Sequence, residues 1–115
     1  MGHRYAFAVP VLPGKSEQVR TFASALAGPR NAEYADLNRR ANVTAEYLHL
    51  METPEGAFVI VYGEGEAKSG AEFLDPAARE FDRWFREQVL DVTGVDVLEV
   101  SGDPSELLVA WHAGK

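Results

Sequence analysis

The chain has 115 residues, 46% of them hydrophobic, no cysteine, and a formal net charge of −7 from eleven Lys and Arg against eighteen Asp and Glu. That length suits one domain over residues 1–115, able to bury roughly 65% of its unfolded surface without metals or disulfides. The absence of Cys excludes disulfide scaffolds, zinc–thiolate sites and cysteine nucleophiles. The cations are scattered, with only Arg39 and Arg40 adjacent, which argues against nucleic-acid and anionic-membrane partners.

Residues 1–10 carry one Arg and an apolar run broken by Pro10, without the longer apolar region and cleavage site of a signal peptide. No stretch approaches the ~18 apolar residues of a membrane span, so a cytoplasmic protein is expected. Residues 5–12 are β-prone and end at the turn signal Pro13-Gly14, which predicts the first strand. From Lys15 onward Val19, Phe22, Ala23, Leu26 and Ala27 recur at three- and four-residue steps, a helical stripe stopped by Gly28-Pro29. Residues 30–42 place Tyr34, Leu37 and Ala41 at helical spacing, weakened by Asn31, Asn38 and Asn42. They predict a short extra helix lying over the body, in the position of a lid.

Residues 46–52 and 57–64 read as two strands joined by Thr53-Pro54-Glu55-Gly56, a hairpin. Residues 71–92 read as the longest helix, with Phe81, Trp84, Phe85 and Val89 on its buried face and a kink or restart at Asp75-Pro76. A Gly/Asp/Pro loop over 93–105 leads to a last strand at 107–113. The order βα(α)ββαβ predicts an α+β, ferredoxin-like fold, with an extra short helix after helix one and both main helices on one face of an antiparallel sheet.

The hairpin sorts the sheet's faces. It sets Met51 opposite Phe58, His49 opposite Ile60 and Tyr47 opposite Tyr62, and on the other side Leu50 with Val59 and Leu48 with Val61. The aliphatic face suits the helices. The face with Tyr47, Tyr62, His49, Met51 and Phe58 is too apolar to leave in water, and a second copy packed sheet to sheet would cover it. A homodimer with a cavity between its sheets is expected.

Val9-Pro10-Val11-Leu12-Pro13-Gly14-Lys15, and the aromatic helix segment Phe81-Asp82-Arg83-Trp84-Phe85, resemble the dimeric α/β-barrel superfamily over nearly the whole chain. The resemblance implies a dimeric barrel. It spans cofactor-free quinol monooxygenases, polyketide cyclases, muconolactone isomerases, haem-degrading enzymes and stress-response proteins, so it implies no single activity. The haem-degrading members need an Asn, a Trp and a His around the haem. Their spacing has no residue-by-residue match here, so no catalytic residue is carried over and no cofactor is assigned.

His49 is the candidate catalytic residue, a base or acid near neutral pH for a phenol, enol or β-dicarbonyl proton. Its bland role is a hydrogen bond across the dimer. Tyr47 and Tyr62 could orient a carbonyl or serve as packing, with Met51 and Phe58 beside them. Trp84 stands as a cavity-edge candidate, and of Trp111 and His112 one must face the cavity side. Arg39, with Arg40, could clamp a carboxylate or simply be solvated. Glu46, Glu52 and Glu64 lie at strand ends, where solvation is the ordinary fate. His3, His49 and His112 show no HxH or HExxH spacing, so no metal site is expected. The glycine-rich stretch 63–70 lacks P-loop order, and no GxSxG elbow or dinucleotide fingerprint occurs. Two readings follow. One is a dimer binding an apolar, aromatic or polyketide-like molecule, with cofactor-independent monooxygenase, cyclase or isomerase chemistry if it is an enzyme. The other is a non-catalytic, stress-associated or structural dimer with a packed interface.

Overall fold

The computed structural model describes residues 4–66, 69–100 and 105–114; His3 and part of the 93–105 loop lie outside them. Strand β1 (Arg4–Pro10) leads into α1 (Ser16–Ala27) and α2 (Asn31–Arg40). Strands β2 (Val43–Thr53) and β3 (Gly56–Gly65) follow, then α3 (Gly70–Phe73), α4 (Glu80–Thr93) and a 3-10 turn at Val97–Glu99. The architecture is α+β, with an open three-stranded antiparallel sheet in the order β1-β3-β2.

The expected stripe of α1 buries Val19, Phe22 and Leu26. The Asn31 side chain donates to the Leu26 carbonyl at 3.0 Å, tying α2 to the end of α1. Asn42 ends the α2 segment in the left-handed region (φ 58°), which asparagine tolerates better than most residues. The single helix expected over 71–92 is two helices, α3 and α4. Pro76 has no N–H to continue the first, and the Asp75 N–H donates instead to the Asp82 carboxylate at 2.8 Å.

The hairpin register is the expected one, with Tyr47↔Tyr62, His49↔Ile60 and Met51↔Phe58 paired across β2 and β3. β1 joins the other side of β3, setting Phe7 opposite Val61 and Val9 opposite Val59. Alternation therefore gives the helix-covered face to Phe7, Val9, Leu48, Leu50, Val59 and Val61. Phe22, Leu26, Leu37, Leu74 and Phe81 form the main core cluster, and Val11, Val19 and Val92 a second against Leu50 and Val59.

The last strand expected at 107–113 has no partner here. Among the described residues, 105–114 belong to no helix or strand. The Ser105 hydroxyl accepts the Ala6 N–H at 3.0 Å, beside the open edge of β1, and the chain beyond it is exposed. A strand exists only by pairing, so sequence propensity alone does not make one. Among the described residues, no helix is long and apolar enough to cross a membrane.

Candidate functional site

A cavity of 280 Å³ lies between the inner face of the sheet and the helices. Phe7 and Val61 of the sheet, Phe22 of α1, and Phe85 and Val89 of α4 are among its walls. It approaches the lower end of the ~300–1,000 Å³ range of small-molecule sites. Its surface is mostly apolar, and Asn38 of α2 and Glu46 of β2 bring polar atoms to it.

Glu46 stands on the inner face because it shares parity with Leu48 and Leu50. The Tyr5 hydroxyl donates to its Oε2 at 3.1 Å, and the Tyr34 hydroxyl donates to its Oε1. Tyr5 reaches this position because residue 63 is glycine. A Cβ there would lie 2.2 Å from the Tyr5 ring carbon Cζ, so the ring lies where a side chain would otherwise project.

Burial pushes the Glu46 carboxyl above its ordinary pKa, outweighing the two tyrosine hydroxyls that pull it down. Burial, and then the neighbouring Glu46 charge, push the Tyr34 hydroxyl well above its ordinary range, so it stays a proton donor. A carboxylate offers about four acceptor positions. Two hydroxyls therefore leave Glu46 capacity toward a bound molecule. A carboxylate of raised pKa in an apolar pocket is suited to taking a proton from a weakly acidic O–H or C–H group. The strand boundaries expected from the sequence place Glu46 at a strand end, where solvation is the ordinary fate. β2 begins three residues earlier, at Val43, and α2 covers that end of the sheet, so the residue is half-buried on the inner face.

The outer face gathers the other expected residues. Tyr47 and Tyr62 have ring centroids 6.0 Å apart, and Tyr62 donates to Glu64 at 2.8 Å. Tyr47, His49 and Met51 are exposed, while Phe58 and Tyr62 are half-buried. His49 borders the cavity through β2, but parity turns its imidazole to the outer face. Trp84 packs against Phe22 and Phe81, with the Arg30 guanidinium 4.4 Å from its ring centre. Arg39 is exposed and pairs with Asp36 at 3.3 Å. Its neighbour Arg40 does clamp a carboxylate, but the protein's own: it reaches both oxygens of Asp82, at 2.8 and 2.9 Å. Trp111 and His112 are exposed in the C-terminal segment. Sequence reasoning missed Tyr5, Tyr34 and Glu46 as a set. The alternation that placed Leu48 and Leu50 inside also places Glu46 there, and Tyr34 shares a helical stripe with Leu37 and Ala41.

No protein-family model matches this chain, and no curated protein matches it.

Proposed function

We propose that the chain is a homodimer of the ferredoxin-like, dimeric α/β-barrel kind that binds a small aromatic or polyketide-like molecule in the cavity beneath its sheet. Glu46 acts there as the base, removing a phenol, enol or β-dicarbonyl proton, while Tyr5 and Tyr34 hold its carboxylate in place. The observation carrying this reading is one half-buried carboxylate of raised pKa at the wall of a mostly apolar cavity. The dimer has separate support, the exposed aromatic face of Tyr47, Met51 and their neighbours, which a second sheet would cover. His49, Tyr47 and Tyr62 then contribute to the interface, and chemistry of isomerase, cyclase or cofactor-independent oxygenase type begins with proton removal at Glu46.

The experiment is deuterium incorporation into benzoylacetone, an aromatic β-dicarbonyl compound, followed by NMR as an initial rate in D2O. The protein should accelerate the exchange, and Glu46→Gln should lower the acceleration by about 10²-fold or more. Binding without acceleration would remove the base and leave a binding protein. No binding would remove this ligand class. The non-catalytic reading draws on the same geometry, because both Glu46 oxygens already accept a tyrosine hydroxyl. It predicts that Glu46→Gln changes stability while exchange stays at the background rate in both proteins.

A further inference from the structure

Tyr5 of β1 and Glu46 of β2 are both in register with Gly63 of β3. The three residues therefore form one row across the inner face. Gly63 has no side chain, and the Tyr5 ring fills the middle of that row. The next row on the same face is Phe7, Val61 and Leu48, all apolar. A ligand lying along this face thus meets hydrocarbon over its body and the Tyr5–Glu46 pair at one end.

The two tyrosines on Glu46 are not equivalent. Tyr5 lines the cavity together with Glu46, whereas Tyr34 is not among the described residues that line it. Tyr5 bonds Oε2 at 3.1 Å, and Tyr34 bonds Oε1. Oε2 and the Tyr5 hydroxyl are thus an acceptor and a donor side by side at the cavity wall. Their spacing suits a C–H group next to a carbonyl, where the hydrogen-bearing carbon and the oxygen are two bonds apart, roughly 2.4 Å. Removing that proton puts negative charge on the oxygen, where a fixed donor stabilises it. Hydrogen bonds to charged acceptors are about twice as strong as those to neutral ones, so a hydroxyl follows the charge from carboxylate to enolate. A substrate whose acidic hydrogen is on oxygen needs none of this, because proton transfer between oxygens is fast without a catalyst.

We propose that Tyr5 is a second catalytic residue and that the substrate is a carbon acid, a molecule with a C–H group beside a carbonyl. The C–H bond breaks and its proton goes to Oε2 of Glu46. The electron pair left on carbon forms a carbon–carbon double bond, and the carbonyl pair moves onto oxygen. The Tyr5 hydroxyl donates to that oxygen as it leaves Oε2. Nothing is oxidised or reduced, and return of the proton to carbon reverses the step. Tyr34 stays on Oε1 and is a positioning residue. The inference rests on Glu46 as the base and specifies what receives the charge that the base creates.

The test follows deuterium uptake by benzoylacetone across pH in the native protein, Tyr5→Phe and Tyr34→Phe. The titratable side chains that bear on Glu46 are Tyr34 of α2 and Tyr5 of β1, and both hydroxyls lower its pKa. Either substitution therefore moves the midpoint of the rate profile upward. A hydroxyl that serves Glu46 alone shows itself in that midpoint, because its loss leaves a stronger base. A hydroxyl that serves the substrate oxygen shows itself in the plateau above the midpoint. Tyr5→Phe should lower that plateau by about 10²- to 10³-fold. A plateau retained in Tyr5→Phe overturns the inference and leaves Glu46 as the base. Equal plateau losses in the two variants overturn the division of roles. No acceleration by the native protein removes the base, and the handover with it. Binding gives a readout apart from turnover. The anion 4-nitrophenolate carries a charged oxygen like that of an enolate, and should bind Tyr5→Phe about tenfold more weakly, while nitrobenzene binds both proteins alike. Equal losses for the two probes would assign Tyr5 to packing and overturn the proposal.

Discussion

Glu46 is held on the inner face of β2 by Tyr5 and Tyr34, and burial lifts its pKa above the ordinary 4.5. The folded state therefore binds this proton more tightly than the unfolded chain. The group's stabilising contribution is full below about pH 4.5 and is lost as pH rises through its folded value. Asp36 and Asp96 have the opposite sign, because hydrogen bonds from Arg40 and Arg86 hold them below the ordinary 3.8. Their contribution is present above that value and is lost as pH falls. A denaturant series from about pH 4 to about pH 8 separates the two. The stability of the native protein relative to Glu46→Gln should decline with rising pH. A constant difference would mean that Glu46 titrates alike in both states.

The helices depend on contacts that local propensity does not supply. α2 carries three asparagines in and beside it and only one buried apolar residue, Leu37. It is fastened by Arg40, which donates to both oxygens of Asp82 on α4 and, at 2.6 Å, to the Phe73 carbonyl of α3. Asp82 is wholly buried and also accepts the Asp75 N–H, so one carboxylate joins α2, the α3–α4 break and α4. Asp82→Ala would leave the Arg40 guanidinium partly buried without its main partner. It should lower stability by about 3–5 kcal/mol, read from urea unfolding. A loss below about 1 kcal/mol would mark the pair as an ordinary surface bridge. Arg39, one position earlier, belongs to the exposed face. Adjacent identical residues thus have different roles, and helical position beside a buried partner decides which.

For the whole molecule, the inner face of the sheet carries the cavity and the outer face carries the exposed aromatic and Met51 surface. The two should separate experimentally. Met51→Lys places a charge on the outer face, where Met51 is 50% exposed, so the isolated fold should change by no more than about 0.5 kcal/mol. In the proposed homodimer, self-association measured by sedimentation should weaken tenfold or more, because the lysine would have to be desolvated there. Unchanged association would remove the outer face from the contact.

Much of this was legible in the residues themselves. The hairpin register, the two unlike faces, the α1 stripe and the break at Pro76 follow from local periodicities and from what proline does to a backbone. These act over a few residues, so any reading of the chain meets them. The tertiary structure decided the surroundings of Glu46, because Tyr5, Tyr34 and Gly63 converge on it from three other parts of the chain. It decided that Arg40, and not Arg39, meets the buried carboxylate of Asp82, which lies 42 residues away in sequence. It also left residues 107–113 outside any strand among the described residues. A strand's sequence prescribes alternation and apolarity, but its existence depends on an edge, and the position of that edge is a property of the tertiary structure.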